Sequence, residues 1–446
     1  MDAAVTSDTA HQANAFAQIW ERIYQRRDAA FPPEAMRHAR RAVVDTLACV
    51  IGGAAEPATR AARHVGSGNG AMDLALKIGT ASHALDYDDV CMLATCHPSA
   101  PVLSAVISLL AHDAKNASLQ DVLQAHLAGT EIMLRLGAWL GFDHYALGFH
   151  ATGTLGVIGA AAACARLLQL PLDQARHAVA LAASSASGLR GNFGTDTKPL
   201  HVGFAASAAV RAVLLARAGA SANVQAALAG FARAYAGDRP LTLPDCHDEQ
   251  PWAMCVPGFE VKRFPSCYLT HRMIAGVLQL RKSHPYALQQ DEVRIDIEFP
   301  PDGSIALLYP DPHTGLQGKF SAPYCAASAW IDGRVNLATF TDQAVQRADV
   351  RALMPRVHVV ERQGPAEPLD SAPVRVSISH AGSVLVDWAP GSLQDPPTDA
   401  ELAAKWRDGE AFSAVALHGC SADMLLSADV HTRAAELLGP ILRHFQ

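Results

Sequence analysis

Apolar residues recur through most of this chain with the period of helices that bury one face. Residues 12–27 carry Phe16, Ile19, Trp20 and Ile23 at helical spacing, while residues 1–10 lack such a pattern and are expected to be disordered. Pro32-Pro33 opens the next helix, because proline suits the first helical position. That helix carries Val43, Val44, Leu47, Val50 and Ile51 and stops at Gly52-Gly53. Two helical patterns follow within residues 70–114, and others over 119–140, 154–168, 171–187, 204–218 and 224–234. Residues 238–257 are Pro-rich and read as a loop. Near residue 290 the period changes to two: Val293, Ile295, Ile297 and Phe299 alternate with polar residues, as in a half-buried strand. Residues 356–362, 374–379 and 383–388 read likewise, with helices at 322–331 and 342–352 between them. The fold class is therefore mainly α. A large all-helical domain, residues 1–265 completed by 395–446, accompanies a smaller α+β domain, residues 266–394, with an antiparallel sheet and helices on one face.

Composition narrows the function. The 446 residues carry a net charge of −7, which argues against a nucleic-acid partner. No uninterrupted apolar run is long enough to suggest a membrane span. The polar, acidic N-terminus does not read as a signal peptide, so a cytoplasmic location is expected. Nine scattered cysteines with no C-x-x-C pair suggest free thiols, with neither a disulfide framework nor a zinc site.

Motifs for nucleotide binding, serine hydrolysis or zinc proteolysis are absent. What stands out is a set of polar side chains at loops before helices. Residues 194–203 (GTDTKPLHVG) break the helical pattern at Gly194 and Pro199, which places Lys198 and His201 in a turn before a helix N-terminus. A lysine and a histidine beside such a terminus form a good carboxylate site. Asp86, Asp88 and Asp89 precede His97-Pro98 in a seam too polar for an ordinary core turn. The same cluster suits either a divalent cation or a histidine held in one tautomer, but its spacing matches no known metal cage. Tyr145 and His150 precede another helix, and Lys262 and His271 flank a proline in a third such mouth. Asp45 reads as a structural carboxylate. Together these groups suit proton transfer beside a carboxylate, with cations stabilising the developing charge.

The segments HALDYDD, GFHATGTLG, NFGTDTKPLHVG, KRFPSCYLTH and KFSAPY resemble the signature segments of the MmgE/PrpD family. The resemblance implies a helical domain and an α+β domain with the active site between them, a homodimer, and no metal or organic cofactor. It implies an enzyme acting on a small di- or tricarboxylate: a 2-methylcitrate dehydratase, a cis-aconitate decarboxylase or an iminodisuccinate epimerase. Carried over by motif, Lys198, His150 and His271 are expected catalytic groups, joined by Tyr145 from the loop before His150. Asp86, His97, Lys262 and His201 are the expected substrate-binding groups, His201 having a structural alternative. The chain departs from the pattern at Val90, commonly a hydroxyl or histidine in the dehydratase and decarboxylase branches, and in a segment one residue longer before His97. A dehydratase must protonate a leaving hydroxyl and a decarboxylase a carbanion, whereas an epimerase needs two proton carriers on opposite faces. The apolar Val90 therefore favours epimerisation of iminodisuccinate, with dehydration and then decarboxylation as alternatives. An inactive scaffold on the same fold is the non-enzymatic reading.

Overall fold

The computed structural model describes residues 3–26, 31–66, 68–237, 251–289, 293–369, 371–392 and 394–446, with the backbone alone for residues 3–10. The first eleven helices are α1 (Ala3–Gln25), α2 (Pro33–Gly52), α3 (Pro57–Val65), α4 (Ala71–Ala84), α5 (Ser99–Leu109), α6 (Leu119–Leu140), α7 (Phe142–Ala146), α8 (Ala151–Leu167), α9 (Leu172–Ala183), α10 (Thr197–Arg217) and α11 (Val224–Tyr235). The α+β part contains α12 (His271–Ser283), α13 (Gly315–Gly318), α14 (Ala322–Asp332), α15 (Asp342–Val345) and α16 (Ala348–Leu353). Its strands are β1 (Ile295–Phe299), β2 (Val357–Glu361), β3 (Val374–Ile378) and β4 (Gly382–Val386). The chain then returns to helix with α17 (Asp399–Ser413) and α18 (Ala422–Ser427).

Glycines of the helical part sit where its helices approach most closely. A Cβ on Gly79 of α4 would lie 2.9 Å from Gly203 Cα of α10, and one on Gly129 of α6 would lie 2.7 Å from the Gly159 carbonyl of α8. Such contacts bring the start of α10 against the end of α4, where the polar seam begins. α10 is long and apolar enough to cross a membrane by length and composition, but it is mostly buried against α4 and α8. α17 packs on α2, and Leu402, Trp406, Ile441 and Phe445 join the core of the helical part. The buried pair between Lys405 of α17 and Asp45 of α2, 2.7 Å apart, gives Asp45 a structural partner. Lys405 also donates to the Tyr87 carbonyl at 2.6 Å, which ties this helix to the seam.

The α+β part has its own core, which includes Ile274, Val277, Ile295, Ile297, Phe299, Tyr324 and Val376. A smaller cluster of Tyr145, Phe193, Cys267, Ala306 and Phe320 joins residues from both parts.

Several expectations need correction. The sheet is mixed rather than antiparallel: its order is β2-β1-β3-β4, with β1 parallel to β2 and the other pairs antiparallel. The stretch between β1 and β2 contains α13 to α16, a crossover that returns the chain in its original direction. The expected helix over 342–352 is two short ones, α15 and α16. The expected disordered N-terminus is helical from Ala3, where an Ala-rich sequence extends the helix beyond its apolar stripe. Residues 238–250 of the expected loop, Cys246 among them, lie outside the described residues; the eight described cysteines are all free. Finally, α10 begins at Thr197, so Lys198, Pro199 and His201 lie in its first turns rather than in a preceding loop. Proline is tolerated there because the first helical N–H groups have no intrahelical acceptor to lose.

Two measurements test this packing. A Cβ on Gly203 would meet Thr80 Oγ1 at 2.3 Å and the Leu76 carbonyl at 2.6 Å. Gly203→Ala is therefore expected to cost about 1–3 kcal/mol by overpacking and to lower the melting temperature; an unchanged denaturation midpoint would contradict the tight α4–α10 contact. His126 of α6, fully buried with Nε2 3.0 Å from Ser99 Oγ, is pushed down to about 3 by burial. Its unfolded form takes up a proton that the folded form refuses. Its contribution is thus fully present above about pH 6.5 and is lost as pH falls from there toward about 3. Acid unfolding of His126→Phe should be less steep over this window than that of the parent.

Candidate functional site

The site is built on the turn after α4. Asp86 adopts a left-handed backbone conformation with φ 51°, which aspartate tolerates better than most residues. Two buried lysines from distant parts of the chain hold this turn. Lys319, just before α14, donates to the Leu85 carbonyl at 2.7 Å and the Pro265 carbonyl at 2.9 Å. Lys262 donates at 2.9 Å to both the Asp86 carbonyl and Asp86 Oδ1. Lys198, in the first turn of α10, donates to the same Oδ1 at 2.8 Å. One carboxylate oxygen therefore receives two ammonium groups. Burial alone would raise the Asp86 pKa, but Lys198 and Lys262 hold it well below the usual carboxylate range.

Lys198 also lies 2.7 Å from His83 Nε2, at the end of α4. An ammonium group only donates, so Nε2 accepts and the ring proton sits on Nδ1. Nδ1 is 2.9 Å from both oxygens of Asp88, which accept that proton. His97 lies beside the same two carboxylates, its Nδ1 3.3 Å from Asp88 Oδ2 and its Nε2 3.7 Å from Asp86 Oδ1. Burial lowers the His83 pKa to about 3 against the pull of Asp88, and it lowers that of His97 as well. His150 is the residue immediately before α8, and its ring stacks 5.5 Å from that of His83. Burial, followed by the charge of Lys198, holds it well below the usual histidine range.

Part of this cluster lines a small cavity. Of the expected site residues, Asp86, His97, Tyr145, His150, Lys198 and Lys262 line it. His201 and His271 do not. His201 stands behind His150, with the two Nδ1 atoms 3.0 Å apart. His271 is fully buried between the rings of Phe264 and Tyr268, and burial with the nearby Lys262 lowers its pKa to about 3. Tyr145 lies under Arg190, and burial raises its pKa, so its phenol stays protonated. The rest of the wall is largely apolar: Val90, Met92, Phe193, Leu269, Phe320 and Leu369. The longer segment before His97 is a tight loop closed by backbone hydrogen bonds between Cys91 and Cys96, and it turns Met92 and Thr95 to the cavity.

Sequence reasoning did not assign His83, Asp88 or Lys319 to the site, although all three lie within the quoted motifs. Their signal was that charged residues there had no evident role in an otherwise apolar core. Donor atoms of His83, Asp86, Asp88 and His97 lie within 4.8 Å of one another, as the acidic seam suggested. Within this group Lys198 and Lys262 both pair with Asp86, while Asp88 pairs with His83 and His97.

Residues 18–244 match the MmgE/PrpD N-terminal domain, and residues 264–412 match the MmgE/PrpD C-terminal domain. The chain is 32% identical over 293 residues to a cis-aconitate decarboxylase of Mus musculus, and 32% identical over 294 residues to that of Homo sapiens. Each match covers 63% of this chain, but only 58% and 60% of those relatives' own lengths. A cis-aconitate decarboxylase of Aspergillus terreus (strain NIH 2624 / FGSC A1156) is 24% identical over 418 residues, covering 84% of this chain and 85% of the relative. Both family domains are thus present in order, and the chain belongs to the MmgE/PrpD family.

Proposed function

We propose that this enzyme is a lyase that removes carbon dioxide from a small unsaturated tricarboxylate of the cis-aconitate kind and protonates the carbon left behind. The observation that carries this reading is the division of the cavity between a lysine–histidine cluster and an apolar wall. A carboxylate placed against Val90, Met92, Leu269 and Leu369 loses solvation that neutral carbon dioxide does not need. The other carboxylates meet Lys198 and Lys262. When the C–C bond breaks, its electron pair stays on the substrate carbon and spreads toward those carboxylates, where the ammonium groups stabilise it. His150, whose Nε2 is buried without a protein partner, supplies the proton that forms the new C–H bond.

The position of Val90 reverses the weight it carried in the sequence. There it counted against decarboxylation as a lost polar group; in the cavity it belongs to the surface that desolvates the leaving carboxylate. The epimerase reading needs proton carriers on two opposed faces. Lys198, Lys262, His97 and His150 all contact one another through Asp86 and His83, which supports delivery from a single cluster. The relatives' activities point the same way.

Carboxyl-labelled cis-aconitate in D2O tests the reading. Labelled carbon dioxide and a product with one deuterium per turnover are expected. Hydration of the double bond without carbon dioxide would replace this reading with the dehydratase. Inversion and exchange of iminodisuccinate, with cis-aconitate inert, would replace it with the epimerase. Lys198→Ala should reduce the rate by at least about 100-fold. A loss within about tenfold, roughly 1.4 kcal/mol of barrier, would remove Lys198 from the reacting groups.

A further inference from the structure

We propose that His201 is a positioning residue that lets His150 deliver its proton while both rings stay neutral, an inference that rests on the lyase reading above. His150 Nδ1 and His201 Nδ1 are 3.0 Å apart and face each other. Two ring nitrogens at that distance share one proton: one donates and the other accepts. The opposite nitrogen of His150, Nε2, is buried without a protein partner, on a ring that lines the cavity. His201 does not line the cavity, so its contact with the reaction passes through His150.

The packing around the pair is specific. Gly188 sits against both rings; a Cβ there would lie 3.3 Å from His150 Cβ and 3.4 Å from His201 Cγ, and the backbone has φ +134°. The Gly188 carbonyl also accepts the His150 backbone N–H at 3.0 Å. α10 supplies both Lys198 and His201, so one helix positions the cation at the substrate and the partner of the proton donor.

The chemistry explains why a partner is needed. Burial and the neighbouring Lys198 keep both rings neutral near pH 7, His201 being lowered to about 4. A neutral imidazole is a useful acid only if the proton it loses is replaced in the same step. The pair allows this. As the substrate C–C bond breaks, the Nε2–H bond of His150 breaks and a C–H bond forms. The Nδ1–H bond of His201 breaks and an Nδ1–H bond forms on His150, while His201 gains a proton at Nε2 from a solvent water, whose hydroxide combines with the released carbon dioxide as bicarbonate. Neither ring becomes an imidazolate or an imidazolium. After product release, the tautomers reset by exchange with water at the two Nε2 atoms.

The test compares His201→Gln with the parent enzyme on cis-aconitate in mixtures of H2O and D2O. Glutamine can still donate to His150 Nδ1, but it cannot pass a proton on. The expected result is a fall in kcat of about 100-fold, with KM within about threefold. The curved dependence of rate on deuterium content should become linear, and 4-methylimidazole should restore part of the rate to His201→Ala. A His201→Gln enzyme with the parent's kcat, or with the curvature retained, would overturn the proposal. If the parent releases no carbon dioxide, the lyase reading fails, and 15N shifts of His150 then test the pair directly. Exchange between tautomers in the parent and a single fixed tautomer in His201→Phe are expected; identical spectra would overturn it.

Discussion

The arrangement depends on one carboxylate oxygen, Asp86 Oδ1, which receives both Lys198 and Lys262 in a buried site. Removing one partner of such a buried pair leaves an uncompensated charge and typically costs several kcal/mol. The interaction therefore couples three segments far apart in sequence: the turn after α4, the first turn of α10 and the loop before α12. It also concentrates positive charge where a polycarboxylate would bind, while Asp86 and Asp88 keep the cluster close to neutral when the cavity is empty. Under the proposed function a substrate carboxylate would recruit these ammonium groups, and the empty protein does not have to bury two unpaired cations.

The surrounding hydrogen bonds carry this order outward. Because Lys198 can only donate, His83 is fixed as acceptor at Nε2 and as donor to Asp88 at Nδ1. Behind His83, Asp89 accepts from Ser99, whose hydroxyl meets His126. Burial, reinforced by Asp45, raises the Asp89 pKa to about 8, so it is protonated at neutral pH. Two adjacent aspartates thus have opposite charge states, Asp88 ionised beside two histidines and Asp89 neutral in the core. Lys319 and Lys405 fasten the same seam from the α+β part and from the C-terminal helix through backbone carbonyls. The cavity is consequently framed by elements from the whole chain.

Much of this was legible in the sequence because helical periodicity is a local signal. The helices over 119–140 and 224–234 match α6 and α11 closely, and the change of period near residue 290 marks β1. What failed depended on tertiary context. Gly194 and Pro199 read as helix breakers, yet proline costs little in the first turn of α10. The parallel β1–β2 pair cannot be seen in alternation, which is the same for either strand direction. Six expected site residues converge on the cavity, but His201 and His271, from the same kinds of motif, stop one layer behind it. A motif reports which residues travel together and not which atom reaches the ligand. His83 does not stand out by itself in the sequence, and Asp88 does so only as part of the acidic seam, since their joint role appears once Lys198 is placed against His83.

The most direct measurement of the central claim is calorimetric binding of tricarballylate, a saturated tricarboxylate that cannot lose carbon dioxide by this route, to the parent protein and to Lys262→Met. The account predicts binding by the parent that weakens with added salt, and a loss of at least about tenfold in affinity when the Lys262 ammonium is removed. Equal affinity for the two proteins would contradict it, because the lysines paired on Asp86 would then not be the carboxylate-binding groups.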